Sequence, residues 1–208
     1  HIENMARHFI NITNQVIDNP ELAISEIDYL DGEEKDKILY RWNETEDAYP
    51  EDKCVYQLFE ERVSENPDKI AISYEGETLT YNQLNNLANQ LAITLRENGI
   101  GPDKLVGLMV DRSLDAVVGI LGVLKAGGAY LPIDSEYPAE RCHFMLEDSK
   151  ADILLTQTSL KERVPDDYNG IVMELESLMD KGEKKVDNIE PLSTPDNMSY
   201  VIYTSGST

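Results

Sequence analysis

The chain has 208 residues, with 40 Asp and Glu against 18 Lys and Arg, a formal net charge of −22 at pH 7; 41% of its residues are hydrophobic and 28% charged. That apolar share is ordinary for a soluble globular protein and excludes wholesale disorder, while the length allows one or two domains. So acidic a surface repels phosphate backbones and anionic lipid headgroups, which argues against nucleic-acid and membrane partners, and any nucleotide would need local dipoles, hydroxyls and a metal ion to hold it.

Met5, Phe9, Ile12 and Val16 recur at helical spacing until Asn19-Pro20 ends the pattern. Ile38, Leu39 and Trp42 suggest a second short helical face, set among acidic stretches at 31–36 and 44–52. Two short helices with charged connections build little core and read as the tail of one domain plus a linker. From Val55 the pattern strengthens. Val55, Leu58, Phe59 and Val63 mark a helix ending near Asn66-Pro67, and Ile70–Tyr74 with Glu77–Thr80 read as strands around a Glu75-Gly76 turn. Thr80 and Gln83 form a capping box for a helix whose stripe is Leu84, Leu87, Ala88, Leu91, Ala92 and Leu95, with Gly99 beyond its end. Strand Leu105–Val110, helix Ser113–Ala126, strand Tyr130–Ile133, helix Pro138–Ser149 and strands at Ile153–Thr156 and Ile171–Met173 follow. A polar loop, Lys181–Pro195, then leads to a last strand, Tyr200–Tyr203. Strand and helix in alternation predict an α/β fold, a mostly parallel sheet covered by helices behind a short helical N-terminal tail.

Two distant cysteines, Cys54 and Cys142, make neither a disulfide framework nor a ligand cluster and suggest a reducing cytosol. His1-Ile2-Glu3-Asn4 shows no secretory leader, so a cytoplasmic location is expected. The most apolar run, Ala116–Leu124, stops at Lys125, well short of the roughly 20 residues that cross a bilayer.

Thr204, Ser205, Gly206, Ser207 and Thr208 follow the last strand directly. Hydroxyls donate to phosphoryl oxygens, and a glycine lets backbone N–H groups converge on an anion. A flexible turn would have the same composition, and no Walker A pattern is present. Three segments taken together carry more. Leu79-Thr80-Tyr81-Asn82-Gln83-Leu84, then Leu124-Lys125-Ala126-Gly127-Gly128-Ala129-Tyr130-Leu131-Pro132-Ile133-Asp134 with Tyr137-Pro138-Ala139-Glu140-Arg141, then Tyr200 to Thr208 resemble, in order and spacing, the first three core motifs of the amino-acid adenylation domains of nonribosomal peptide synthetases. His8-Phe9 through Asn19-Pro20 and Trp42-Asn43-Glu44-Thr45 resemble the end of a condensation domain and its linker.

The resemblance implies residues 1–20 from a condensation domain, 21–52 as linker and 53–208 as the N-terminal part of an adenylation domain, stopping inside the third motif and without turnover by itself. It implies ATP as reactant with Mg²⁺ as cofactor, an aminoacyl-adenylate as product, and transfer to the phosphopantetheine of a carrier domain. Carrier and condensation domains of the same synthetase are the implied partners. Thr204 to Thr208 would be the near half of the phosphate loop. Another carboxylate:AMP or CoA ligase, or a non-catalytic docking module, are the rival readings. Other residues have structural readings: Tyr81 packs at its helix start, Gly127 and Gly128 serve a turn needing positive φ, Asp134 caps the next segment, Glu140 and Arg141 form ion pairs, His143 packs or faces solvent, and Cys142 belongs to the core.

Overall fold

A computed structural model describes residues 2–179, 186–204 and 206. The chain divides into two compact units, His1–Tyr49 and Pro50–Thr208.

In the first unit, α1 (Ile2–Asp18) and α2 (Gly32–Leu39) contain no buried residue. They are held by charge instead: Arg7 pairs with Asp31 at 3.1 Å and His8 with Glu34 at 2.7 Å. Asp31 also caps α2, accepting from the Glu34 N–H at 2.7 Å. Trp42 does not extend the α2 face. It sits in a separate 3₁₀ turn, Arg41–Asn43, with the Lys37 ammonium 5.2 Å from its ring centre.

The second unit begins with α3 (Val55–Glu65) and a hairpin of β1 (Ile70–Tyr74) and β2 (Glu77–Thr80). Glu75 at φ 48° and Gly76 at φ 89° make the left-handed pair that matches hairpin twist. Next come α4 (Tyr81–Glu97), β3 (Leu105–Met109), α5 (Leu114–Ala126), β4 (Ala129–Pro132), α6 (Ala139–Ser149), β5 (Ile153–Thr156), β6 (Ile171–Glu174) and a short α7 (Leu175–Leu178). The Thr80 capping box forms: Gln83 N–H donates to Thr80 Oγ1 at 3.2 Å, and Thr80 N–H donates to Gln83 Oε1 at 2.9 Å. Every residue of the apolar stripe on α4 is buried.

The main sheet has the order β4-β3-β5-β6, all parallel. Val106 and Leu108 face a core shared with α4 and α5, while Met109 and Leu131 face α6. Gly107 lets α6 approach, since a Cβ there would lie 2.9 Å from Leu146 Cδ2. Tyr81 stacks on Phe59 at 5.9 Å, as expected of it. Cys142 is buried in the α6 core, where desolvation, then Asp134, pushes its thiol pKa up. Cys54 is only half-buried. A thiol-specific reagent at pH 7 should therefore modify Cys54 quickly and Cys142 only on unfolding. Equal rates in mass spectra would contradict this packing.

Four expectations need correction. Tyr200–Tyr203 is not a strand: only Tyr200 bridges to Tyr130, in parallel. Beyond Val201 the chain follows α6, where the Tyr203 hydroxyl bonds to Asp148 and its ring meets Phe144 edge-on at 6.2 Å. Gly127 has the left-handed φ of 94°, but Gly128 does not; it is small because a Cβ would lie 2.7 Å from Ile100 Cγ2 and 3.0 Å from the Lys104 carbonyl. Glu140 and Arg141 form no ion pair among the described residues, and Arg141 instead lies 4.7 Å over the Tyr137 ring. Pro138 is the N-cap of α6 and not its first residue. His143 packs half-exposed between Asp167 at 3.1 Å and Glu147 at 3.4 Å.

Candidate functional site

Where adjacent parallel strands send their loops to opposite faces, a crevice opens at their carboxyl ends. Here β3 leads to α5 on one face and its neighbour β4 leads to α6 on the other. A cleft of about 750 Å³ lies at that point, bounded by Asp111 and Arg112 after β3, Asp134 and Glu136 after β4, and Ile202 and Tyr203.

The rim is cross-braced. The Ser135 hydroxyl donates to Asp111 at 2.8 Å, and Arg163 donates to the Ser135 carbonyl at 3.2 Å. Gln157, buried at the end of β5, accepts from the Asp111 N–H at 2.8 Å and donates to Ser113 Oγ at 3.2 Å. The Glu136 N–H donates to Asp134 Oδ1 at 2.9 Å, so Asp134 caps its own turn. Three carboxylates against two guanidiniums leave the rim acidic. An anion there depends on backbone N–H groups, hydroxyls and an added cation. No three His, Cys, Asp or Glu residues converge on a metal position among the described residues.

The chain returns to the sheet edge beside this cleft. The Tyr130 N–H donates to the Ser199 carbonyl at 3.1 Å, and the Val201 N–H donates to the Tyr130 carbonyl at 3.0 Å. The Tyr130 and Tyr200 rings lie 5.7 Å apart. Burial, helped by Asp148, pushes the Tyr203 phenol up to about 12, so it stays a neutral donor at neutral pH. Thr204 is exposed, and so is Gly206, at φ 95° with nothing within 4 Å of where a Cβ would sit. A left-handed glycine in open space can turn N–H groups toward an anion, which fits a phosphate-holding loop. Ser205, Ser207 and Thr208 lie outside the described residues.

The residues that fasten this segment were not singled out by sequence. Asp103 accepts from the Met198 N–H and the Asn197 side chain, both at 3.0 Å. Arg96 donates to the Glu190 carbonyl at 2.8 Å. Asp103 has φ 60°, a conformation Asp tolerates. An aspartate after Gly101-Pro102 signals a turn but not its distant partner.

This is an α/β domain of the doubly covered parallel-sheet class, with a crevice at the strand ends. Residues 59–208 match the sequence profile of the AMP-binding enzyme family, and the chain belongs to that family. It is 44% identical over 207 residues to gramicidin S synthase 2 of Aneurinibacillus migulanus, covering 100% of this chain and 5% of the synthase. It is also 44% identical to bacitracin synthase 2 of Bacillus licheniformis, covering 99% of this chain and 8% of that protein. The chain thus spans less than a tenth of the length of these relatives. Among solved structures it is similar to the nonribosomal peptide synthetase FmoA3 in its alpha-methyl-L-serine-AMP bound form. The TM-score is 0.74 at 28% identity, over 98% of this chain and 23% of that one. The fold also matches the N-terminal subdomain of Klebsiella oxytoca NpsA, at TM-score 0.65 and 23% identity over 76% of this chain and 40% of that one.

Proposed function

We propose that residues 53–208 are the N-terminal part of an amino-acid adenylation domain of a nonribosomal peptide synthetase, with 1–20 the end of a condensation domain and 21–52 the linker. The whole enzyme joins an amino-acid carboxylate to the AMP part of ATP, releasing pyrophosphate, and passes the aminoacyl group to a carrier domain's phosphopantetheine thiol. Thr204, Ser205, Gly206, Ser207 and Thr208 are the residues we assign to the β- and γ-phosphates. Their work is electrostatic positioning, since two anions must meet and fixed donors lower that barrier. Mg²⁺, when bound with ATP, would supply the positive charge that the acidic rim of the cleft lacks. The free thiols of Cys54 and Cys142 suit a cytoplasmic enzyme.

The observation that carries this reading is the exposed, left-handed Gly206 beside exposed Thr204, at the edge of a switch-point cleft. In the complete synthetase containing this segment, Thr204→Ala should slow amino-acid-dependent pyrophosphate exchange about 10²-fold, the usual effect of losing one oriented donor. Exchange within threefold of the parent would overturn the assignment.

A further inference from the structure

Residues 186–199 form a strap that runs over one side of the sheet's helical cover and ends at Tyr200, four residues before Thr204. Side chains from distant parts of the fold fasten it throughout. At its start, the Val186 N–H donates to Asn86 Oδ1 at 3.0 Å, and Asn89 donates to the Val186 carbonyl at 2.9 Å. Asn188 Oδ1 accepts from Asn85 at 2.8 Å, from Asn89 at 3.1 Å and from the Lys125 ammonium at 3.5 Å. In the middle, Arg96 joins the Glu190 carbonyl to the Lys125 and Ala126 carbonyls at the end of α5. Leu192 passes so close to Gly127 that a Cβ there would lie 3.2 Å from Leu192 Cβ. At the far end the Asp103 carboxylate holds Asn197 and Met198, and Tyr130 receives Ser199 and Val201.

The contacts from Lys125, Gly127 and Tyr130 belong to one motif, Leu124–Asp134. Tyr130, Pro132, Ile133 and Asp134 line the cleft. Lys125, Gly127 and Tyr130 touch the strap, and the Lys125 and Ala126 carbonyls hold the Arg96 that fastens it. We infer that this motif is the seat of the strap, and that Asp103 is a positioning residue which sets the register at which the strap delivers the phosphate loop to β4. Asp103 is exposed and lies away from the cleft lining, so it acts through Met198 to Tyr200 and not on a ligand. A slip of one residue between Ser199 and Tyr130 would turn Tyr200 to the opposite face and displace Thr204 by a full residue step.

The catalytic part of this inference rests on the adenylation reading, and its test keeps the two separate. Asp103→Gly removes the carboxylate while glycine adopts φ 60° without strain. Asp103→Asn keeps an acceptor for the Met198 N–H and tolerates the same φ. In the complete synthetase, D103G should raise KM for ATP by about tenfold or more, toward the roughly 100-fold that a 1 Å misplacement can cost, with KM for the amino acid unchanged. D103N should recover most of it. Hydrogen exchange read by mass spectrometry should quicken in the peptide spanning Met198–Thr204 and stay as before in β3 and β5. Unchanged KM for ATP with unchanged exchange in that peptide overturns the inference. So does a lower melting temperature with fewer active sites but normal KM for ATP, which is the signature of a merely structural residue. If the parent synthetase shows no ATP-dependent pyrophosphate exchange, the functional reading falls, and the hydrogen-exchange comparison still decides whether Asp103 holds the strap. Should D103G not accumulate folded, Asn197→Ala removes one of the two Asp103 contacts, together with the Thr194 bonds to Asn197 Oδ1, and takes the same readouts.

Discussion

Replacing Glu60 with alanine should lower the unfolding free energy by about 3–5 kcal/mol at pH 7, the cost of leaving a buried charge without its partner. Lys125 is fully buried, and its ammonium bonds to the Glu60 carboxylate, with Asn188 Oδ1 the only other acceptor among the described residues, at 3.5 Å. Desolvation holds the Lys125 pKa below 10.5 even though Glu60 pulls it back up. Without Glu60 the depression deepens. A lysine with its folded pKa below its unfolded one binds fewer protons when folded, so across that interval stability rises with pH. The E60A deficit should therefore shrink as pH climbs from 7 toward 10.5, and begin to shrink at lower pH than any such rise in the parent. Replacing both partners with apolar residues, Glu60→Leu with Lys125→Met, should recover most of the loss. Urea unfolding at neutral and at alkaline pH measures all three effects. A deficit under about 1 kcal/mol, typical of solvent-exposed pairs, would show that water reaches Lys125.

Lys125 also marks a limit of sequence reading. In sequence it looks like the charge that closes an apolar run near a helix end, a common solvent-facing role. Its burial follows from Glu60, 65 positions earlier, and no local pattern contains that partner. The elements that were legible have local causes. The Thr80 box, the Glu75-Gly76 turn and the left-handed Gly127 each depend on residues within a few positions. The alternation from Leu105 onward was likewise enough for a parallel sheet, because helix and strand periods differ within a short window. Gly128 lay between the two cases: its smallness is local, but Ile100 and the Lys104 carbonyl, which require it, are not. Tyr200–Tyr203 failed for the same reason, since β-prone residues make a strand only where a ladder receives them. At the candidate site, Thr204 and Gly206 stood out by residue type, whereas Asp103, Arg96 and Gln157 act through tertiary contacts alone.

The contact between α4 and α5 should show the opposite of additivity. Leu91 is completely buried there, and Leu91→Ala should cost about 2–5 kcal/mol through lost burial and the void it leaves. Gly122 faces it across the contact. A Cβ at Gly122 would lie 2.5 Å from Leu91 Cδ2, 2.7 Å from Cγ and 2.9 Å from Cβ. Rotating the leucine tip relieves the first clash but not the last, so in Gly122→Ala the helices must part. That overpacking costs about 1–3 kcal/mol, less the roughly 1 kcal/mol that alanine gains over glycine inside a helix. In the double variant the new methyl enters the space Leu91 vacated. The clashes with Cδ2 and Cγ disappear and the void shrinks, while the 2.9 Å approach to the Cβ that alanine keeps remains, so the double should be more stable than the sum of the singles by about 0.5–3 kcal/mol. Chemical denaturation of the four proteins of the cycle measures this coupling directly. Strict additivity would mean that the two helices do not meet at Leu91 and Gly122, and would remove the close approach on which the packing of this face depends.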